Sequence, residues 1–548
     1  MREPRQRRLH IWTPVFFAAA LSLGMTLGFN LRDTLRNKRD IGAIIERNDR
    51  LEEIIDLIRE RYVDTVDVNN LYNDAVVGII SHLDPHTSYI PAGRLADVNT
   101  DLEGSFFGIG VEFNIIRDTI QITAVIPKGP ADRAGVLIGD KIIEVNDSVV
   151  AGVGITSERI MQMLRGEQMS RATLGLQAPA EPHLRKVVVV RDVVPINSVE
   201  ANLLLDSYTG YIRINRFSAT THKEFVQALR GLLTYEITNL IIDLRQNPGG
   251  YLEQAVSIAE ELLAAGQTIV VTRSRTEETI SRAQRPGLYP KGRLAILVDE
   301  GSASAAEILA GAVQDNDRGL VIGRRTYGKG LVQEQFDLGD GSALRITVAR
   351  YYTPSGRSLQ RSYAAGRAAY EEDFASRYYS GELTGRTDSV SGLDTTSFYT
   401  SHHRKVRGGG GVFPDIVVPY DSITFNSQLL TIAYGETAGL ATWEYYLQQA
   451  ARLRKLSTPA QLVVDRNIGD TLVTALMRIA SEADQQAIRN IQKRPEALEF
   501  LQNQLKARLA RIIFRSNGYY GVLAPADPVI IRARKALEGT AYEVLEGG

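Results

Sequence analysis

The sequence predicts a multidomain α/β protein: an α/β core, preceded by an N-terminal helical segment and a small α+β unit, and followed by a helical C-terminal region. Three observations carry this prediction. Between residues 205 and 350, apolar strand runs alternate with amphipathic helices. Between about 100 and 190 the texture is short strands separated by glycine turns, and from about 425 onward amphipathic helices dominate. At 548 residues the chain is also too long for one hydrophobic core.

Taken in order, Arg2, Arg5, Arg7 and Arg8 precede an uncharged apolar run over residues 11–29. A basic flank before such a run reads as a signal anchor or a signal peptide, with the basic side cytoplasmic. Thr26-Leu27-Gly28 is a weak cleavage site, and the uncleaved anchor is the preferred reading. Either way the remainder is exported. Residues 43–61 place Ile44, Ile45, Leu51, Ile54, Ile55 and Ile58 at helical spacing. A second helix is expected over 71–83, stopping at Asp84-Pro85 because the residue before proline resists helical geometry. His86, in the turn that follows, reads as a local hydrogen-bonding residue or as a catalytic one.

In the small unit, Phe107-Gly108-Ile109-Gly110-Val111 is expected to open a strand, with a second strand over 120–125, a helix over 157–164 and a closing strand over 186–190. In the core, strands over 240–244, 294–298 and 320–322 each end in a loop, with helices after the first two and a hairpin over 332–351 after the third. Residues 361–407 are polar and tyrosine-rich and read as a surface insertion ending in His402-His403-Arg404-Lys405. The expected divisions are 1–39, the basic segment and anchor; 40–99, helical; 100–192, the small unit; 193–360, the core; 361–407, the insertion; 408–424, a return to the core; and 425–548, helical. The last helices, notably 497–514, would pack on the core or pair with a second subunit; the pattern leaves a homo-oligomer open.

Composition excludes several chemistries. With no cysteine there is no disulfide, thiolate metal site, iron–sulfur cluster or cysteine nucleophile. A net charge of −1 gives no overall pull toward nucleic acid. Seven histidines leave few metal candidates, and the His402-His403 pair lacks a carboxylate–histidine pattern nearby, so no metal and no cofactor are expected.

Loops after parallel strands gather at one sheet edge, where α/β proteins place their sites. Ser304 stands at a strand-to-helix transition among Ala303, Ala305 and Ala306, which leave its hydroxyl accessible. The N–H of Ala305, in the first helical turn, lacks an intrahelical partner and suits an oxyanion. The Asn247-Pro248-Gly249-Gly250 turn offers a second N–H, from Gly249 or Gly250, since glycine permits close backbone approach. A serine hydroxyl needs a base. Lys329, between Gly328 and Gly330, would serve if burial disfavoured its ammonium, with Gln333 four residues on to orient it. The same residues also read as a helix cap and a surface cation, and local chemistry leaves both open. No G-x-S-x-G or S-x-x-K occurs, and although His222 precedes the serine, the α/β texture does not suit a chymotrypsin-like core.

Several motifs occur together in order: Tyr62-Val63-Asp64, Leu83-Asp84-Pro85-His86-Thr87-Ser88-Tyr89, the small unit with its Phe107–Gly110 loop, and Asp243-Leu244-Arg245-Gln246-Asn247-Pro248-Gly249-Gly250. Gly301-Ser302-Ala303-Ser304-Ala305-Ala306-Glu307, Tyr327-Gly328-Lys329-Gly330-Leu331-Val332-Gln333 and Pro414-Asp415-Ile416 complete them. The small unit resembles a PDZ domain, and residues 43–419 together resemble the carboxy-terminal processing (tail-specific) protease family. The resemblance implies an ATP-independent serine endopeptidase of the bacterial cell envelope, anchored in the inner membrane with its protease domain in the periplasm. It implies Ser304 as nucleophile, Lys329 as base, Gln333 as the lysine's orienting partner, and Ala305 with Gly249 or Gly250 as the oxyanion hole. It further implies that Phe107, Gly108, Ile109 and Gly110 hold the C-terminal carboxylate of exported substrate proteins. A catalytically silent PDZ adaptor presenting exported proteins to a partner is the alternative.

Overall fold

A computed structural model describes residues 50–179, 183–386, 396–421 and 426–545. The expected apolar span at 11–29 lies outside the described residues, and among those described no helix is long and apolar enough to cross a membrane. Two units are distinguished, one ending at His82 and one beginning at Leu83. The first shows helices Arg50–Arg61 and Val68–Ile80. The second of these starts three residues earlier than the apolar pattern suggests, because Asp67 caps it: its Oδ1 accepts the N–H groups of Asn69 (2.9 Å) and Asn70 (3.3 Å).

The larger unit is mixed α/β. Its central six-stranded sheet runs Val199–Leu204, Thr209–Ile214, Asn239–Asp243, Arg293–Val298, Leu320–Gly323 and Ile416–Val417, parallel from the second strand onward. Strand residues alternate between two covered faces. Leu240 and Ile242 join Phe225, Leu229, Ile258 and Leu309 beneath helices Thr221–Leu233, Leu252–Leu262 and Ala305–Asp315. Ile241 and Leu297 face the opposite way and are sealed by Ile530, Ala533 and Leu537 of the helix Pro528–Glu538. The C-terminal region therefore supplies the second wall of the core. An antiparallel sheet carries the hairpin Leu331–Asp337 and Ala343–Tyr352, with Ser88–Ile90 paired to its long strand.

The small unit is a sheet ordered Val111–Ile116, Thr119–Val125, Lys141–Val145, Arg171–Gln177 and Leu184–Val190, with the helix Ser157–Leu164. The strand expected to open at Phe107 is broken in two. Ser105–Gly108 pairs with Asp192–Pro195, and Val111 begins the sheet, because Gly110 turns the backbone into the left-handed region (φ 77°).

The described part of residues 361–407 is not wholly a surface excursion. Helices Arg367–Glu371 and Asp373–Tyr379 bury Tyr370 and Arg377, whose guanidinium donates to the carbonyls of Thr326 and Arg325. Arginine and tyrosine read as surface residues in the pattern, but here the Arg377 guanidinium finds backbone carbonyls and the Glu382 carboxylate, and the Tyr370 hydroxyl finds His86 and Gln360, which offsets the cost of burying them. His402 meets the carbonyl of Leu545 through Nδ1 (2.6 Å).

The expected helix at 497–514 extends over Pro495–Leu523, with non-helical geometry at Arg515 (φ 60°, ψ −155°). It packs with Glu436–Leu453, and that helix reaches the small unit. Buried Trp443 donates from Nε1 to Gln121 Oε1 at 2.7 Å. Exposed pairs such as Arg515–Glu112 (3.2 Å) add little. Trp443→Phe strands the buried Gln121 oxygen and is expected to lower unfolding free energy by about 1–3 kcal/mol. Urea melts of the two proteins check this, and an unchanged midpoint would show that the bond contributes nothing.

Candidate active site

Three loops leave the C-terminal ends of the parallel strands Asn239–Asp243, Arg293–Val298 and Leu320–Gly323. The first is anchored by Asp243, fully buried. Burial works against its charge, but the Arg245 and Arg213 guanidiniums hold its carboxyl well below the usual range. Buried Asn247 then organises the turn. Its Nδ2 donates to Ile214 O (2.8 Å), its Oδ1 accepts Gly249 N–H (2.8 Å), and its carbonyl accepts Ala303 N–H (2.9 Å). Both glycines are required. A Cβ on Gly249 (φ 98°) would lie 2.7 Å from Ser304 Cβ, and one on Gly250 (φ 139°) would lie 2.1 Å from Phe217 O.

The second loop is tied to the first through Asp299, which accepts Gln246 N–H (2.8 Å) and Gln246 Nε2–H (2.7 Å). Ser302 Oγ donates to Leu244 O at 2.8 Å. Ser304 then takes a positive φ (55°, ψ −116°), costly for a residue with a side chain by about 1–3 kcal/mol. Its N–H donates to Glu307 Oε2 (2.9 Å), and its carbonyl accepts the Tyr351 hydroxyl (3.1 Å) and the N–H groups of Glu307 and Ile308. The N–H of Ala305, next in the chain, makes no hydrogen bond among the described residues.

Glu307 joins the second loop to the third. Completely buried, its carboxylate also accepts Thr326 Oγ1–H (2.5 Å) and Gly328 N–H (2.7 Å) on Oε1, and Lys329 N–H (2.8 Å) on Oε2. Burial pushes its pKa up; the donated hydrogen bonds oppose that shift. The Tyr351 hydroxyl also reaches the carbonyl of Lys329. The backbones of Ser304 and Lys329 thus share two buried partners.

Lys329 Nζ donates to Gln333 Oε1 (2.8 Å), and Gln333 Nε2 donates to the carbonyl of His86 (2.6 Å). No hydrogen bond joins Ser304 Oγ to Lys329 Nζ in this conformation. Burial lowers the lysine's pKa, and the charge of Arg345 lowers it further, against Asp84 and Glu307. His86 is lowered to about 4, by burial first and the Lys329 charge second. His86 therefore meets Gln333 through its backbone, and its neutral ring hydrogen-bonds Tyr370. His222, by contrast, binds Glu261 on the helix Leu252–Leu262.

In the small unit, Phe107 and Gly108 are paired with Val193 and Asp192. Ile109 and Gly110 use their carbonyls, toward Ala131 and Ile126, while their N–H groups make no backbone bond among the described residues. Among the described residues the adjoining strand Val111–Ile116 pairs only with Thr119–Val125, so its other edge carries no strand.

Glu307 and Tyr351 carry no role in the reading of the sequence. The signal for Glu307 is legible in retrospect: Ser304-x-x-Glu307 at a helix start is the spacing at which a carboxylate reaches back to the first N–H. Tyr351 is an ordinary strand tyrosine in the pattern, with nothing to mark it.

Comparison with known proteins matches residues 208–365 to the model of peptidase family S41, and residues 96–177 to that of the PDZ domain. The carboxy-terminal-processing protease of Bartonella bacilliformis is 30% identical over 401 residues, covering 70% of this chain and 91% of that one. The chloroplastic C-terminal processing peptidase of Tetradesmus obliquus is 32% identical over 324 residues, covering 56% of this chain and 69% of that one.

Glu307→Ala leaves three backbone N–H groups and a hydroxyl without their buried acceptor. It is expected to cost about 3 kcal/mol or more of stability. Chemical denaturation measures this; a variant within about 0.5 kcal/mol of wild type would mean that water or another acceptor replaces the carboxylate at no cost.

Proposed function

Since the chain belongs to the carboxy-terminal processing protease family, serine peptidases that carry a PDZ domain, we propose that it cleaves exported proteins in the cell envelope, selects them by their C-terminal tails and uses Ser304 and Lys329 as its catalytic pair. The observation that carries this reading is the shared carboxylate of Glu307, which holds the backbones of Ser304 and Lys329 while burial lowers the lysine's pKa.

Ser304 Oγ attacks the scissile carbonyl, and neutral Lys329 Nζ takes its proton. An ordinary lysine, with a pKa near ~10.4, is charged at neutral pH, and burial shifts Lys329 in the direction this step requires. Gln333, held at its other end by His86, aims the amine. Negative charge on the tetrahedral carbonyl oxygen is received by the free N–H of Ala305, at the positive end of the helix Ala305–Asp315, and by a glycine amide of the facing turn. Gly249 N–H is already committed to Asn247, which favours Gly250 as the second donor. The C–N bond then breaks, the leaving amine takes the proton from Lys329, and an ester remains on Ser304. Water, deprotonated by Lys329, hydrolyses that ester and returns the proton to Ser304 Oγ. Every step uses groups of this chain. The Ser304–Lys329 hydrogen bond, open in this conformation, closes with substrate bound, a tightening that catalytic groups commonly undergo.

Tail selection rests on the small unit. The free N–H groups of Ile109 and Gly110 suit a terminal carboxylate, and the open edge of Val111–Ile116 suits an added strand. Phe107 and Gly108 contribute the start of the loop. A Cβ on Gly108 would press to 2.8 Å from the Phe106 ring, so a branched residue there would distort it.

Ser304→Ala and Lys329→Ala are each expected to abolish peptide cleavage without unfolding the protein, and the double variant to lose nothing more, since groups acting as one unit are not additive. Gln333→Ala should lose less. Full activity in Lys329→Ala would overturn the mechanism, and inactivity of the wild type against a range of tails would favour a silent adaptor.

For the tail, an amidated peptide should show a raised KM and a preserved kcat relative to the free acid, because amidation removes the charge those N–H groups would receive. Equal KM values for both peptides would contradict tail reading.

A further inference from the structure

We propose that Tyr370, acting through His86, is a positioning residue for the Lys329–Gln333 pair, so that the helices following Arg361 belong to the catalytic unit. The proposal rests on the assignment of Lys329 as the base. A primary amide such as Gln333 offers an acceptor at one atom and donors at the other. With Oε1 on the lysine and Nε2 on His86 O, both ends are satisfied. A flipped amide would set carbonyl against carbonyl at His86, and its N–H groups would occupy the lone pair of the neutral Lys329 amine that must take the serine proton. The position of the His86 carbonyl therefore selects the orientation in which Gln333 can aim the amine.

Two sides hold that carbonyl in place. On the backbone side, Asp84 Oδ1 accepts His86 N–H (2.9 Å) and Thr87 N–H (3.1 Å), and Oδ2 accepts Thr87 Oγ1–H (2.7 Å). On the ring side, His86 Nε2 lies 2.9 Å from the Tyr370 hydroxyl. Gln360 Nε2 donates to that same hydroxyl (3.3 Å), which keeps its oxygen beside the His86 ring. Gln360 Oε1 in turn accepts Gly330 N–H (2.9 Å), beside the lysine. The chain of bonds thus runs from Lys329 through Gln333, His86, Tyr370 and Gln360 back to Gly330. Tyr370 is only 4% exposed, and the Arg361 guanidinium lies 3.8 Å over its ring, so the hydroxyl has little freedom to leave. His86, lowered to about 4, and Tyr370, raised to about 12, both stay neutral across the range in which the enzyme would work.

The test measures kcat and KM of the full-length protein on a peptide with a free apolar C-terminus. Tyr370→Phe keeps the ring and removes the hydroxyl; His86→Phe keeps a ring and the backbone carbonyl but removes the nitrogen. Each is expected to lower kcat roughly three- to tenfold, the net worth of one hydrogen bond, with KM within about twofold. Because Tyr370 acts through Gln333, the double variant Tyr370→Phe/Gln333→Ala should be no slower than Gln333→Ala alone. A purely structural role would multiply the two losses or move only the melting temperature, and either result would overturn the proposal. Lys329→Ala runs alongside. If it is inactive while both phenylalanine variants match wild type, the positioning role fails and the base assignment stands. If Lys329→Ala is active, the base assignment fails and this proposal falls with it.

Discussion

One buried carboxylate carries the geometry of the site. Glu307 accepts hydrogen bonds from the backbone of Ser304, Gly328 and Lys329 and from the hydroxyl of Thr326. Ionised, it is an acceptor only, so all of its partners must be donors, and all of them are. Its place at the start of the helix Ala305–Asp315 adds a favourable dipole for the negative charge. Without this anchor, the strained backbone of Ser304 would have less to hold it, and the lysine loop would lose its tie to the serine loop. A backbone conformation of that cost persists only where its surroundings over-determine it. Here the N–H and carbonyl of Ser304 are both engaged, and Tyr351 reaches the carbonyls of Ser304 and Lys329 alike.

The carboxylate can act this way because the sheet beneath it is closed on both faces. Leu240 and Ile242 pack under the helices that follow the strands, and Ile241 and Leu297 pack against the C-terminal helix Pro528–Glu538. The packed sheet therefore fixes the loop ends relative to one another independently of the contacts between the loops. Another helix of the same C-terminal region, Glu436–Leu453, reaches the small unit through Trp443 and Gln121, so the region that completes the core also touches the domain proposed to read substrate tails.

Much of this is legible in the residues. Apolar runs mark the core strands to within a residue or two, and the helix Ser157–Leu164 falls on its predicted span, because continuous burial and helical periodicity are strong local signals. Local chemistry leaves Ser304 and Lys329 open between a catalytic pair and a helix cap with a surface cation, and the family resemblance is what singles them out with Gln333. In the structure the backbones of Ser304 and Lys329 share the Glu307 carboxylate, and Lys329 binds Gln333 from the neighbouring hairpin strand. What escapes local pattern is what depends on distant partners. The break between Gly108 and Val111 follows from one positive φ at Gly110. The burial of Tyr370 and Arg377 in a polar stretch depends on carbonyls and on His86, far away in the chain. Glu307 reads as one more helix-start acid until four donors are seen to converge on it.

The central claim is that Lys329 is held neutral beside Ser304 by burial, within a frame set by Glu307. The most direct measurement is the rate at which a fluorophosphonate labels Ser304 as a function of pH, read by mass spectrometry of the modified peptide. In this reaction Ser304 Oγ bonds to phosphorus as fluoride leaves, and the rate follows the fraction of base able to take the serine proton. Because a lowered pKa frees the amine at a lower pH than usual, labelling is predicted to rise and level off below the pH at which an ordinary lysine loses its proton. In Lys329→Ala that inflection should vanish. A wild-type inflection at the ordinary lysine value near ~10.4, or one unchanged in Lys329→Ala, would contradict the account.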